Sequence, residues 1–116
     1  MEKVYTDNGL WLTQTADKQV IIGLSKAGQE EFGDISFINY LVDQDLVAGE
    51  AFVSIEAEKA VTDILAPLSG KVVGKNEKAE GTPTDLNSDK DNLNWLVAVE
   101  PSSAFDPTAF KSEETK

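Results

Sequence analysis

Apolar and polar residues alternate over short stretches of this chain, and the pattern predicts β-strands rather than long helices. Val53, Ile55 and Ala57 alternate with Ser54, Glu56 and Glu58, the period of a strand with one buried face. That strand ends near Lys59. A second begins at once, with either Thr62, Ile64 and Ala66 or Val61 and Leu65 turned inward, and runs to the Pro67-Leu68-Ser69-Gly70 turn before Lys71-Val72-Val73. The two make a hairpin with Glu58-Lys59 at its tip. Upstream, Val4-Tyr5 and Leu10-Trp11-Leu12 flank Thr6-Asp7-Asn8-Gly9, where Asn-Gly favours a tight turn, and Gln19 to Leu24 form an apolar run after Ala16-Asp17-Lys18. Ile35 to Leu41 reads as a strand, Asp43 to Glu50 as a polar loop, and Trp95 to Val99 as the last strand.

Helix signals are brief. Ser25 is placed to cap Lys26 to Phe32, and Gly33 offers the stop. Residues 74 to 92, rich in Gly, Pro, Asn and Asp, predict an irregular connection. A short helix capped by Ser102 or Ser103 is expected between Pro101 and Phe110, with a loose tail from about Lys111. Trp11, Trp95, Phe37 and Phe52 are expected in the core, because large aromatics at strand positions bury much area. Many short strands with frequent turns imply a mainly β barrel or sandwich with small helices. A length of 116 residues suits one domain, 1–116, around a single core.

Charge and composition narrow the function. Ten Lys+Arg against twenty-one Asp+Glu give a net charge of −11, which repels phosphate backbones and anionic lipid surfaces. Neither nucleic acid nor membrane is therefore an expected partner, and Lys71, Lys75 and Lys78 read as solvated positions rather than a basic stripe. The opening Met1 to Trp11 has no apolar leader core, and no later apolar run approaches the roughly 20 residues of a membrane span, so a cytoplasmic protein is expected. With no Cys and no His, the chain lacks thiol chemistry, the commonest general base and the commonest metal ligand. No nucleophile and base pair with recognisable spacing remains, which argues against an enzyme. Asp43-x-Asp45 and Asp85-x-Asn87-x-Asp89 start like calcium loops but place Ala48 and Ser54, or Lys90 and Leu96, where Gly and Glu are required, so no metal site is assigned.

A lysine at a hairpin tip is ordinarily a solubilising charge. Lys59, however, has the small residues Ala57 and Ala60 close by and anchored strands on both sides, a setting that suits a swinging arm acylated by a ligase. Amide formation there would replace the ammonium with an attached chain, such as one bearing a dithiolane, able to supply the redox chemistry that the polypeptide lacks.

The residues also carry a family resemblance. Tyr5-Thr6-Asp7 with Trp11, Ile22-Gly23-Leu24-Ser25, Gln29 to Ile35, Ser54-Ile55-Glu56-Ala57-Glu58-Lys59-Ala60-Val61-Thr62-Asp63-Ile64 and Ala66-Pro67-Leu68-Ser69-Gly70 resemble the glycine cleavage system H proteins. Asn76, Pro83, Leu86-Asn87 and Trp95-Leu96 extend the resemblance, which covers about residues 4 to 100. It implies a barrel-sandwich hybrid of the lipoyl/biotinyl carrier type and lipoate covalently bound to Lys59. It also implies recognition positions around the arm at Glu56, Glu58 and Asp63. The absence of a Met-Lys-Met signature argues against a biotin carrier. Implied partners are a lipoate-protein ligase and a dihydrolipoamide dehydrogenase, with glycine decarboxylase and aminomethyltransferase at either end of an aminomethyl transfer.

Glu58 before the lysine, Asn94 before the late Trp, and Gly9-Leu10 before Trp11 depart from the usual H-protein pattern. They look more like H-like paralogues, which implies a redox-stress role with a sirtuin-type ADP-ribosyltransferase and a macrodomain protein as partners. Glu30 and Glu31 are the candidate ADP-ribose acceptors on that reading. The resemblance and the charge both favour a monomer. An unmodified structural or interaction module is the remaining alternative.

Overall fold

The computed structural model describes residues 2–113. Its strands are β1 (Lys3–Tyr5), β2 (Leu10–Gln14), β3 (Val20–Leu24), β4 (Ile35–Tyr40), β5 (Asp45–Leu46), β6 (Ala51–Ala57), β7 (Val61–Leu65), β8 (Gly70–Lys75) and β9 (Trp95–Pro101). Three short helices, α1 (Lys26–Phe32), α2 (Glu77–Gly81) and α3 (Asp91–Asn94), accompany them, with 3-10 turns at Pro83–Asn87 and Pro107–Ala109. One antiparallel sheet has the order β1-β2-β3-β9-β8-β5 and the other β4-β6-β7. The expected mainly β class with small helices is what the chain adopts. No helix among the described residues is long and apolar enough to cross a membrane.

The core lies between the sheets, where period-2 alternation delivers side chains from each. Leu10 and Leu12 of β2, Val20, Ile22 and Leu24 of β3, and Leu96, Val97 and Val99 of β9 meet Ile38, Phe52, Val53, Ile55 and Ile64 from the other sheet. Each aliphatic side chain so buried contributes about 1.5–3 kcal/mol relative to exposure. In β7 the inward set includes Ile64, followed by Ala66 just beyond the strand, while Val61 and Leu65 face solvent. This decides between the two phases left open by the sequence.

Phe37 is not in the core. Strict alternation from Ile35 would carry it inside, but the β4–β6 register shifts between Ile35 and Phe37, so Ile35 and Ile38 are the buried positions and Phe37 points outward. Phe52 is fully buried, whereas Trp95 is only partly so. Trp11 is buried, but beside Gly23 rather than among the clustered core side chains. A Cβ on Gly23 would fall 2.3–2.4 Å from indole atoms of Trp11. The indole N–H donates to Asn94 Oδ1 at 2.8 Å, and Asn94 Nδ2 donates to Ser88 O at 2.9 Å.

The polar segments are more ordered than composition predicts. Within the expected loop Asp43 to Glu50, β5 pairs with β8 and buries Leu46. The 74–92 connection holds α2, a 3-10 turn and the start of α3, anchored by side-chain amides. Asn76 Nδ2 donates to Leu93 O at 3.1 Å and Trp95 O at 2.8 Å. The Tyr40 hydroxyl lies 3.1 Å from Asn76 O and 2.9 Å from Leu96 O and shares its hydrogen between them, and burial pushes that hydroxyl above its ordinary range. No helix begins near Pro101: β9 runs to Pro101, Ser102 N–H donates to Ser69 O at 3.0 Å, and the only turn is capped by Asp106 rather than Ser102 or Ser103. Lys111 is tied down by two backbone hydrogen bonds with Tyr5, at 2.8 and 3.0 Å. The rest of the expected loose tail, from 114 on, lies outside the described residues.

One of these amides positions the hairpin. Asn87 Oδ1 accepts from Ile35 N–H at 2.9 Å, and Asn87 Nδ2 donates to Gly33 O at 2.9 Å. The segment so clamped supplies Asp34 O, which accepts from Glu58 N–H at the hairpin tip at 2.9 Å.

Replacing Asn87 with Ala deprives Ile35 N–H and Gly33 O of their partner, with an expected cost of about 1–3 kcal/mol in urea unfolding. Amide exchange at Ile35 and Glu58 is expected to accelerate more than that of β2 and β9. Gly23→Ala should cost about 1–3 kcal/mol, because the added methyl must displace the Trp11 indole, and should shift the tryptophan emission.

Candidate functional site

The β6–β7 hairpin closes where Ala57 N–H donates to Ala60 O at 3.0 Å, which leaves Glu58 and Lys59 as its tip. Both are exposed, as is Ala60. Apolar anchoring by Val53, Ile55 and Ile64 fixes the strands on either side and so the base of the lysine. Lys59 Nζ donates to Glu30 O at 3.3 Å, a carbonyl in the last turn of α1. Carbonyls at a helix C-terminus carry partial negative charge, which suits an ammonium.

Gly33 fits the tip against the helix. It ends α1 with φ 76°, a conformation that disfavours any side chain, and its N–H donates to Gln29 O at 3.0 Å. A Cβ on Gly33 would also stand 3.0 Å from Glu58 Oε1 and 3.7 Å from Lys59 Cε. The sequence pattern identifies the helix stop but not this clearance.

The acids singled out from sequence fall into two groups. Glu30 and Glu31, both exposed on α1, line a cleft of about 400 Å³ with Thr6, Asp7, Gly9, Ala27 and Lys111. The Lys111 ammonium and Asp7 carboxylate form an ion pair within that lining. Glu56 and Asp63 instead lie on the outer face of the β4-β6-β7 sheet: Glu56 is in register with Phe37 and Val61, and Ser54 with Asn39 and Asp63. Glu58 stands between the groups, at the tip. The fold therefore gathers Glu30, Gly33, Asp34 and Glu58 around Lys59. Asn87, which holds this arrangement, was not assigned a site role from spacing, since nothing in a lone Asn among Gly, Pro and Asp reveals a distant backbone partner.

An exposed primary amine on a rigid two-strand support, with Glu58 and Ala60 also exposed beside it, has room for an amide-linked group. Among the described residues there is no group of three or more Asp or Glu side chains arranged to hold a metal ion.

Comparison with known proteins places the fold in a family. Residues 3–115 match the family model described as Glycine cleavage H-protein. A glycine cleavage system H protein from Coprothermobacter proteolyticus is 36% identical over 115 residues, spanning 97% of this chain and 90% of its own. One from Mycolicibacterium gilvum is 39% identical over 101 residues, spanning 86% and 77%. Among solved structures, the crystal structure of a glycine cleavage system H protein from Mycobacterium marinum superposes with a TM-score of 0.78 at 29% identity, covering 90% of this chain and 87% of that one. The two-sheet fold is thus the barrel-sandwich hybrid of lipoyl carriers, and the chain belongs to the glycine cleavage H-protein family.

Proposed function

We propose that this chain is a lipoyl carrier of a glycine cleavage system, a monomeric cytoplasmic protein that catalyses nothing itself and carries its arm on Lys59. The observation that supports this most directly is the lone exposed amine at the tip of an anchored hairpin. Attachment joins Lys59 Nζ to the carboxyl carbon of lipoate. The amine loses a proton, and AMP departs from the ATP-activated acyl group. When bound, lipoate would supply a disulfide able to take up two electrons with a one-carbon amine, and the dithiol left after transfer would be reoxidised by dihydrolipoamide dehydrogenase.

The residues of the chain do the rest. β6 and β7 hold the base of Lys59 fixed, Asp34 O orients the tip through Glu58 N–H, and Glu56, Glu58 and Asp63 present carboxylates to approaching enzymes. Partners on this reading are a lipoate-protein ligase, glycine decarboxylase, aminomethyltransferase and dihydrolipoamide dehydrogenase. Every relative described above bears the name glycine cleavage system H protein, which favours aminomethyl transfer over the redox-stress role.

A second reading, an arm whose protein is ADP-ribosylated, draws support from the position of Glu30 and Glu31 on the helix that receives Lys59 Nζ. Modification at those carboxylates, rather than elsewhere, is its specific expectation.

Incubation with lipoate, ATP and a lipoate-protein ligase is expected to add one lipoyl mass to the protein and none to Lys59→Ala. The lipoylated protein should then support exchange of label between CO₂ and glycine on glycine decarboxylase. Lipoylation without exchange would shift the assignment to the second reading, and mass mapping after treatment with a sirtuin-type ADP-ribosyltransferase would test Glu30 and Glu31.

A further inference from the structure

The outer face of the β4-β6-β7 sheet carries a feature the aminomethyl chemistry does not use. Phe37 is 59% exposed and Val61 64%, the two most exposed large apolar side chains among the described residues. They are not scattered. Phe37 is opposite Glu56 on the neighbouring strand, and Glu56 is opposite Val61, so the three form one row across the sheet beside the Lys59 tip. Residues directly opposite in antiparallel strands lie about 4.5–5.5 Å apart at Cβ, so the apolar pair flanks the carboxylate within reach of a single partner surface. The adjacent row, Asn39-Ser54-Asp63, adds a second carboxylate and no cation.

Exposed apolar side chains rimmed by one sign of charge mark a contact surface. Two copies of this chain stacked through the face would bring Glu56 and Asp63 against their counterparts, between molecules that each carry −11. The occupant is instead a surface with an apolar socket ringed by Lys or Arg. Reach identifies which enzyme this is. An enzyme acting on the far end of a loaded arm can stand off by the arm's whole length, whereas one that acylates the bare lysine must come within a lysine side chain of the tip, and so covers the strands next to it.

We propose that Phe37 and Val61, with Glu56 and Asp63 around them, form the docking surface for the enzyme that attaches lipoate to Lys59. This rests on the carrier reading above. The apolar pair supplies the contact area, and the carboxylates steer a basic partner face and set the register of its approach.

The test measures lipoylation by a lipoate-protein ligase, with lipoate and ATP saturating, against carrier concentration for Phe37→Thr, Val61→Thr and, as a control on the other sheet, the half-exposed Val73→Thr. Threonine keeps strand propensity, so thermal melts should move by no more than a few degrees. Phe37→Thr and Val61→Thr are expected to raise KM about tenfold each with kcat within about twofold, as for loss of an interface anchor, while Val73→Thr changes neither. A binding titration of ligase with Lys59→Ala, which cannot be acylated, should weaken by a similar factor when Phe37→Thr is added. Salt should raise KM for the parent and do so less for Glu56→Gln/Asp63→Asn.

If the parent protein is lipoylated and both Thr variants keep its KM, docking lies elsewhere and the proposal fails while the carrier reading stands. If unchanged KM is accompanied by loss of a dimer in sedimentation velocity, the face belongs to a second copy and the proposal likewise fails. A parent that gains no lipoyl mass overturns the carrier reading first.

Discussion

Two hydrogen bonds made by one side-chain amide hold together the end of the molecule that carries Lys59. Asn87 accepts from Ile35 N–H and donates to Gly33 O, and the strip of backbone between them receives Glu58 N–H from the hairpin tip. Without that strip the tip of β6–β7 would be an unsupported hairpin end, free to fray like any other. With it, the base of Lys59 is referenced to α1, to β4 and to the 3-10 turn at Pro83–Asn87 at once. For the carrier role proposed above, a mobile end on an immobile stem would suit an arm visited by several enzymes, and the clamp would provide the immobile part.

Asparagine amides do comparable work elsewhere. Asn76 and Asn87 join segments distant in sequence through backbone carbonyls or N–H groups, while Asn94 donates to the nearby Ser88 O and accepts a hydrogen bond from the distant Trp11 indole N–H. Asn76 and Asn94 are buried, and no buried side-chain polar atom among the described residues lacks a partner. Such satisfied amides carry a directional requirement that apolar packing does not, so they specify how the 74–92 connection lies over the sheets.

These amides also mark where sequence reasoning stopped. The β6–β7 hairpin was legible because one buried face imposes a period of two, and the Ser25 to Gly33 helix because caps act over three or four residues. The strip 74–92 was not, since its order comes from pairs more than fifteen residues apart, such as Asn76 with Leu93 and Asn87 with Ile35. Phe37 was misplaced for a different reason: a single-residue irregularity between Ile35 and Phe37 inverts the alternation after it, and composition carries no trace of the slip. Trp11 was rightly placed out of solvent, yet its environment depends on Gly23 lacking a side chain and on Asn94 more than eighty residues away. The position of Lys59 was legible from local pattern, whereas its contact with α1 required the three-dimensional arrangement.

That contact gives the bare lysine a defined resting place. The bare ammonium rests on the carbonyl of Glu30, where its charge matches the negative end of α1. Conversion to an amide leaves an N–H donor but abolishes the charge, and with it the electrostatic part of the hold. On the carrier role proposed above, the reaction that lengthens the side chain would therefore also weaken this hold, so that the bare lysine rests against the helix and the acylated one does not. The proposed modification would thereby change the resting posture of the side chain as well as its length.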